Sequence, residues 1–219
     1  MQQIFRSAQK EIIKTLYANN AIKFNLEDEF QLKGGIISPM YCDTGVLESS
    51  LMTRGSVGSA LNFWLGCYFS NVKIDAIVGI ASGGISWATS LANCHALPLI
   101  RAHGMPKNHG LCNQIDGEIP FDGAKVVVID DLITSGQSVL NVVKALRNGK
   151  DGKKAEVLAV CTIFDWDFSS VNQKFAEANI DKYHITSLKE VLQYGFDNHL
   201  FPEGAEEKIQ FFCQEQGSF

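Results

Sequence analysis

From residue 74 onward, short apolar runs alternate with helix-like stretches, and this alternation constrains the fold more than any other feature. IDAIVGI (74–80), LPLIR (97–101), KVVVID (125–130), EVLAVCTIF (156–164) and YHIT (183–186) read as strands. Helical segments are expected between and after them: to about Cys94, from about Gln137 to Asn148, over KFAEANI and over 187–194. Strands alternating with helices imply βαβ units and a parallel sheet. Strands that are almost continuously apolar imply a sheet covered on both faces. In such sheets ligands bind beyond the carboxyl ends of the strands, so chemistry is sought in the residues that follow each run. The 219 residues suffice for one such domain. The α/β core is placed at 46–200, beginning with a helical stretch at 48–69. Residues 1–45 form a cap: an amphipathic helix over 2–19, with Phe5, Ala8, Ile12 and Leu16 on one face, then a Gly-rich segment. Residues 201–219 are a helical tail.

Charge and composition narrow the function. The net charge of −5, from 24 acids and 19 bases, argues against a broad nucleic-acid footprint. No apolar run reaches the ~18 residues of a membrane span. The opening MQQIFRSAQKEIIK lacks the apolar run of a secretory leader, so a cytoplasmic setting is expected. The six cysteines are scattered without a CxxC, which suits reduced, buried thiols better than a disulfide framework or zinc site.

The strongest local signal is VVVIDDLITSGQSV (126–139). A buried strand ends in Asp130-Asp131, and a short loop from Leu132 to Gly136 enters a helix that Ser135 or Thr134 can cap. Backbone N–H groups of such a loop converge on an anion, and the helix N-terminus adds partial positive charge. Thr134, Ser135 and Ser138 offer hydroxyls to phosphate oxygens. Two adjacent carboxylates would repel a phosphate directly. They make sense as acceptors for sugar hydroxyls or as neighbours of a divalent metal. The bland alternative is a strand–turn–helix with a solvated acid pair. Neither a Walker A sequence nor GxGxxG is present, which removes support for triphosphate and dinucleotide sites.

This segment resembles the phosphoribosyl-pyrophosphate (PRPP) motif of type I phosphoribosyltransferases. The resemblance implies an α/β, parallel-sheet type I phosphoribosyltransferase fold with an N-terminal hood. It implies that Asp130 and Asp131 hold the ribose hydroxyls and that the loop Leu132, Ile133, Thr134, Ser135, Gly136, Gln137 and Ser138 holds the 5′-phosphate. FQLKGGIISPMYCD (30–43) is similar to the hood segment of the orotate enzymes. By that likeness Lys33 meets the PRPP phosphates, Tyr41 and Cys42 lie over the pyrimidine, and Thr134 also borders the base. MPKNHGLCNQIDG (105–117) resembles the mobile catalytic loop, with Lys107, His109 and Gly110 in its KxHG core. The family arginine four residues before the lysine is replaced by His103, and Arg101 stands six before, so the two are expected to share that role. VGIASGGISWATSLA (78–92) is similar to the pyrophosphate loop, here Ala81, Ser82, Gly83 and Gly84, with Gly83 where some orotate enzymes carry lysine. Trp166 stands where some members carry a base-contacting arginine. His95, His184, His199, Trp64 and Trp87 are expected to be structural or solvated.

The implied activity is orotate phosphoribosyltransferase, giving orotidine 5′-phosphate and pyrophosphate in pyrimidine biosynthesis. Lys107, His109 and Asp131 are the implied catalytic residues. Mg²⁺ is the implied cofactor, bound mainly through PRPP, with Asp130 and Asp131 reaching it through water and no direct protein ligand. The implied assembly is a homodimer with shared sites, and neither nucleic acid nor membrane is a partner. The competing readings are a phosphoribosyltransferase for another nucleobase and a non-catalytic PRPP-sensing regulator. The hood and the KxHG loop disfavour the first. The retained Lys107 and the lack of a strongly basic module disfavour the second.

Overall fold

The computed structural model describes residues 2–105 and 114–218, with side chains from residue 5. Helix α1 (Gln2–Ala18) buries Ile12 and Leu16 and packs Phe5 and Ala8 against the core. Strands β1 (Ile22–Phe24) and β4 (Met40–Cys42) pair antiparallel. Between them β2 (Phe30–Gln31) and β3 (Ile37–Ser38) form a small hairpin. A 3₁₀ turn, Thr44–Glu48, leads to α2 (Leu51–Phe69). This helix starts later than 48 because Ser50 is its cap, its side chain accepting from the Met52 N–H.

Among the described residues the central sheet has six strands: β5 (Ala76–Ala81), β6 (Leu99–His103), β7 (Ile115–Asp116), β8 (Ala124–Ile133), β9 (Ala155–Asp165) and β10 (Asp181–Ser187). Their order is β10-β9-β8-β5-β6-β7, and only the β6–β7 pair is antiparallel. The five expected strands and the mostly parallel sheet are present. The sixth, β7, is two residues long and too short to leave a period in the sequence. Helices α3 (Gly84–His95), α4 (Gln137–Asn148), α5 (Ser169–Glu177) and α6 (Leu188–Asp197) follow β5, β8, β9 and β10, and α7 (Ala205–Gln216) closes the chain. Helix α3 packs on β5, β6 and β8, and α4 on β8 and β9. The middle of β8 and most of β9 are fully buried, as apolar runs with covered faces should be. Cys42, Cys161 and Cys213 are buried free thiols, whereas Cys67 and Cys94 are exposed, against expectation. Cys112 lies outside the described residues.

The strand order reverses at β5. The chain continues from β5 to β6 on one side, and the β8–β9–β10 run lies on the other. The carboxyl ends of β5 and β8 therefore flank a crevice at the topological switch point, where open α/β sheets take their ligands.

Candidate active site

A cleft of about 540 Å³ occupies that position. One wall is the hood, with Gln31, Lys33, Tyr41, Asp43 and Thr44; the other holds Ala81 to Gly83, Asp130 to Leu132, Thr134 and Ser138. The paired acids do not end their strand, as the sequence suggests. The ladder continues through Leu132↔Phe164 and Ile133↔Asp165, leaving Thr134 to Gly136 as the loop. Asp130 is consequently held in the sheet at 7% exposure, while Asp131 is more open. The Ile133 side chain is in the core and its carbonyl accepts from the Trp166 N–H, so it offers the cleft no side-chain contact.

Burial, reinforced by the charge of Asp131, pushes Asp130 well above the usual carboxylate range; Lys33 offsets only part of this. Asp131 accepts a hydrogen bond from Thr44 Oγ1 at 2.9 Å, and its N–H donates to Asp130 Oδ1 at 3.0 Å. Gly83 presses against the same carboxylate: a Cβ there would lie within 2.5 Å of both its oxygens. A side chain at position 83 would therefore require the Asp131 carboxylate to shift.

The loop after β8 differs from expectation in its cap. Neither Ser135 nor Thr134 caps α4; Gly136, at φ +71°, is the N-cap, and no side chain accepts from the first turn. Helix α3 likewise starts behind Gly83 without a side-chain cap. The cleft lining includes Gly83 and Ser86 at the start of α3 and Ser138 at the start of α4, so the partial positive charge of both N-termini lies beside it. Thr134 and Ser138 line the cleft, whereas the exposed Gln137 turns to Asn141, donating at 2.8 Å. The hood turn touches this loop: Gly34, at φ +91°, comes so close that a Cβ would lie 2.8 Å from Ser135 Cβ.

Tyr41 and Cys42, the two residues expected over the base, both border the cleft but differ in exposure. Successive residues of β4 point to opposite faces, so Tyr41 is open while Cys42 is 1% exposed. Tyr41 packs on Phe30 with ring centroids 5.7 Å apart. Burial pushes the Cys42 thiol up, leaving it neutral and inert. Lys33 lies at the hood edge of the cleft. Ala81, Ser82 and Gly83 line the opposite wall, but Gly84 packs under β8, where a Cβ would strike the Ile129 carbonyl. Arg101 and His103 lie away from the cleft lining, on β6, and share Asp116 of β7: His103 Nε2 is 2.9 Å and Arg101 Nη2 4.0 Å from its Oδ2. Lys107, His109 and Gly110 lie outside the described residues.

Several cleft residues were not singled out for function from the sequence. Thr44 anchors Asp131, and Glu48, Ser86 and Trp87 line the cavity. Thr44 directly follows the hood segment in sequence, and that adjacency is the signal that could find it. Trp87 is 2% exposed, a core residue as expected, yet it also contributes to the cleft wall. Trp166, 1% exposed, forms part of the wall as well. His184 is not isolated: its ring nitrogens stand 3.8 Å from Asp165 and 3.9 Å from Glu190.

Comparison with known proteins shows the family and the fold. Residues 60–198 match the phosphoribosyl transferase domain family. The orotate phosphoribosyltransferase of Oceanobacillus iheyensis is 35% identical over 184 residues, covering 84% of this chain and 88% of that protein. Among solved structures, the orotate phosphoribosyltransferase of Aeropyrum pernix is similar with a TM-score of 0.68 at 23% identity, covering 84% of this chain and 98% of that one. The UMP synthase of Leishmania donovani is similar with a TM-score of 0.76 at 22% identity, covering 94% of this chain but 42% of the longer protein. At these identities the structural likeness speaks for the fold.

Proposed function

Because this chain belongs to the phosphoribosyl transferase family, we propose that the cleft is the active site of an orotate phosphoribosyltransferase. The enzyme transfers the phosphoribosyl group of PRPP to orotate, giving orotidine 5′-phosphate and pyrophosphate, a step of pyrimidine biosynthesis. The observation that carries the site assignment is the placement of Asp130 and Asp131 at the switch point, beside a helix N-terminus left without a side-chain cap.

The chemistry asks for no protein nucleophile. The ribose C1–O bond breaks with oxocarbenium character, so catalysis rests on positioning and on charge placed where it develops. Asp131, steered by Thr44, accepts from a ribose hydroxyl and sets a negative charge near the electron-poor ring. Asp130, held protonated more readily than an ordinary carboxyl, can accept or donate to the second hydroxyl. Thr134, Ser138 and the first amides of α4 take the 5′-phosphate. Ser82, Gly83 and the first amides of α3 face the pyrophosphate, with Lys33 opposite. Lys107 and His109 are assigned to the departing pyrophosphate. Arg101 and His103, which meet Asp116 on β7, are assigned the role of the family's loop arginine toward PRPP. Tyr41 supplies the flat face for the base.

Mg²⁺ fits this donor set. A divalent ion that keeps its waters and binds one or two carboxylates plus substrate phosphates suits an open Asp131 beside a phosphate pocket. When bound it would neutralise the phosphate charge, held through PRPP and, by water, through Asp131 and Asp130. A cytoplasmic setting and a homodimer with shared sites belong to the same proposal.

Two variants separate the two halves of the site. Asp131→Asn should weaken PRPP binding by about 1.5–3 kcal/mol, the worth of a hydrogen bond to a charged acceptor, with little change in orotate KM. Tyr41→Ala should do the reverse. Calorimetry with PRPP and steady-state kinetics read both. Unchanged PRPP affinity in Asp131→Asn would remove that residue from the site.

A further inference from the structure

Trp166 closes part of the cleft wall, and its setting is not explained by the reaction as derived above. The residues on either side of it, Asp165 and Asp167, both bind the ammonium of one lysine, Lys182 of β10. Lys182 Nζ donates to Asp165 Oδ2 and, at 3.2 Å, to Asp167 Oδ1. The lysine side chain is 8% exposed and Asp165 is fully buried. Asp165 Oδ1 accepts the Asp167 N–H at 2.8 Å, and Asn172 Nδ2 donates to Asp167 Oδ1 at 2.9 Å. Asp167 itself is left-handed, at φ +53°, a conformation that Asp and Asn adopt more readily than other side chains. The Trp166 N–H donates to the Ile133 carbonyl at 3.1 Å, tying the turn to the residue before the phosphate loop. The indole then packs among Phe164, Phe168 and Phe212, with centroids 5.6, 5.7 and 6.2 Å away.

A buried ion pair is a weak source of net stability, and apolar residues of similar volume often serve as well. Here a single cation grips both neighbours of one cleft-lining ring and so holds the turn from which that ring projects. We propose that Lys182, with Asp165 and Asp167, is a positioning set for Trp166, holding the indole as a wall for the planar base. It controls base binding without touching substrate. This inference rests on the orotate reading of the cleft.

The test uses the full chain, with orotate and PRPP varied independently. Lys182→Met removes the ammonium and keeps the stem. Asp167→Asn removes one charge at a residue still suited to the left-handed turn. Lys182→Met should raise orotate KM about tenfold, as expected for a misplaced binding wall, and leave PRPP KM within about twofold. Asp167→Asn should show a smaller rise of the same selectivity, and Lys182→Arg should recover most of the loss. Near-ultraviolet circular dichroism of the indoles should change in Lys182→Met and return in Lys182→Arg. Equal rises in both KM values, a fall in kcat alone, or unchanged kinetics in a destabilised protein would overturn the positioning role. If Lys182→Met does not fold, the KM split in Asp167→Asn decides. If the wild type consumes another base and not orotate, the functional reading fails. The positioning role is then judged by the same split with that base.

Discussion

Asp130 is where stability and function pull hardest against each other. The sheet buries it, Asp131 adds like charge beside it, and both effects disfavour its ionised form. A carboxyl whose folded pKa is raised binds more protons folded than unfolded, so wild-type stability falls as pH rises from the ordinary value, about 3.9, through the raised one. Asp130→Asn removes the charge and can keep the oxygen that accepts the Asp131 N–H. The variant apoprotein should be more stable than wild type at neutral pH, and that gain should vanish as pH falls to the ordinary carboxylate value, about 3.9. PRPP binding should weaken by about 1.5–3 kcal/mol at the same time. Urea titrations at several pH values beside calorimetry read both signs; a variant that loses stability at neutral pH would show that the acid is not strained in the free enzyme. The adjacent carboxylates were legible in the sequence, because acids after an apolar run are unusual. Their unequal burial was not, since it depends on β8 pairing with β9 for three residues beyond the apolar run.

The regular elements were legible wherever period and burial agree. Helix α4 spans Gln137–Asn148, the range expected from the sequence, and β5, β8 and β9 differ from their apolar runs only at the ends. Polar continuation hid the rest. β8 runs on through Asp130 and Asp131 because the ladder satisfies their backbone groups, whatever the side chains. Ser135 and Thr134 are good cap residues in general, yet neither caps α4. Here Gly136 takes the left-handed turn, while Thr134 and Ser138 line the cleft. The hood's irregular backbone gave no period at all, and only resemblance marked it. Its fit to the loop after β8 rests on Gly34, where a side chain would be strained by φ and crowded by Ser135. Gly34→Ala should therefore cost about 1 kcal/mol or more in stability and should raise the KM of both substrates by lifting the hood. Thermal unfolding and kinetics check this, and a variant with wild-type values would show that the hood does not need that contact.

For the molecule as a whole, the proposed substrate site is the cleft at the switch point of the central sheet, while the loop bearing Lys107 and His109 lies outside the described residues. The shared-site homodimer predicts complementation between two inactive variants. Lys107→Ala spoils the loop and Asp131→Asn spoils the PRPP pocket, so a mixed dimer with loops acting in trans carries both lesions in one site and none in the other. Equal amounts with free subunit exchange should restore roughly a quarter of wild-type activity, whereas loops acting in cis restore none. The central claim, that this cleft moves a phosphoribosyl group from PRPP to orotate, is tested most directly by the absorbance of orotate itself. Purified wild type with Mg²⁺ should hold orotate absorbance steady until PRPP is added, and then lower it as orotidine 5′-phosphate forms. The same mixture with Asp131→Asn should show a greatly slowed decrease at limiting PRPP. A flat trace from the wild type, with PRPP consumed instead against uracil or a purine, would contradict the account.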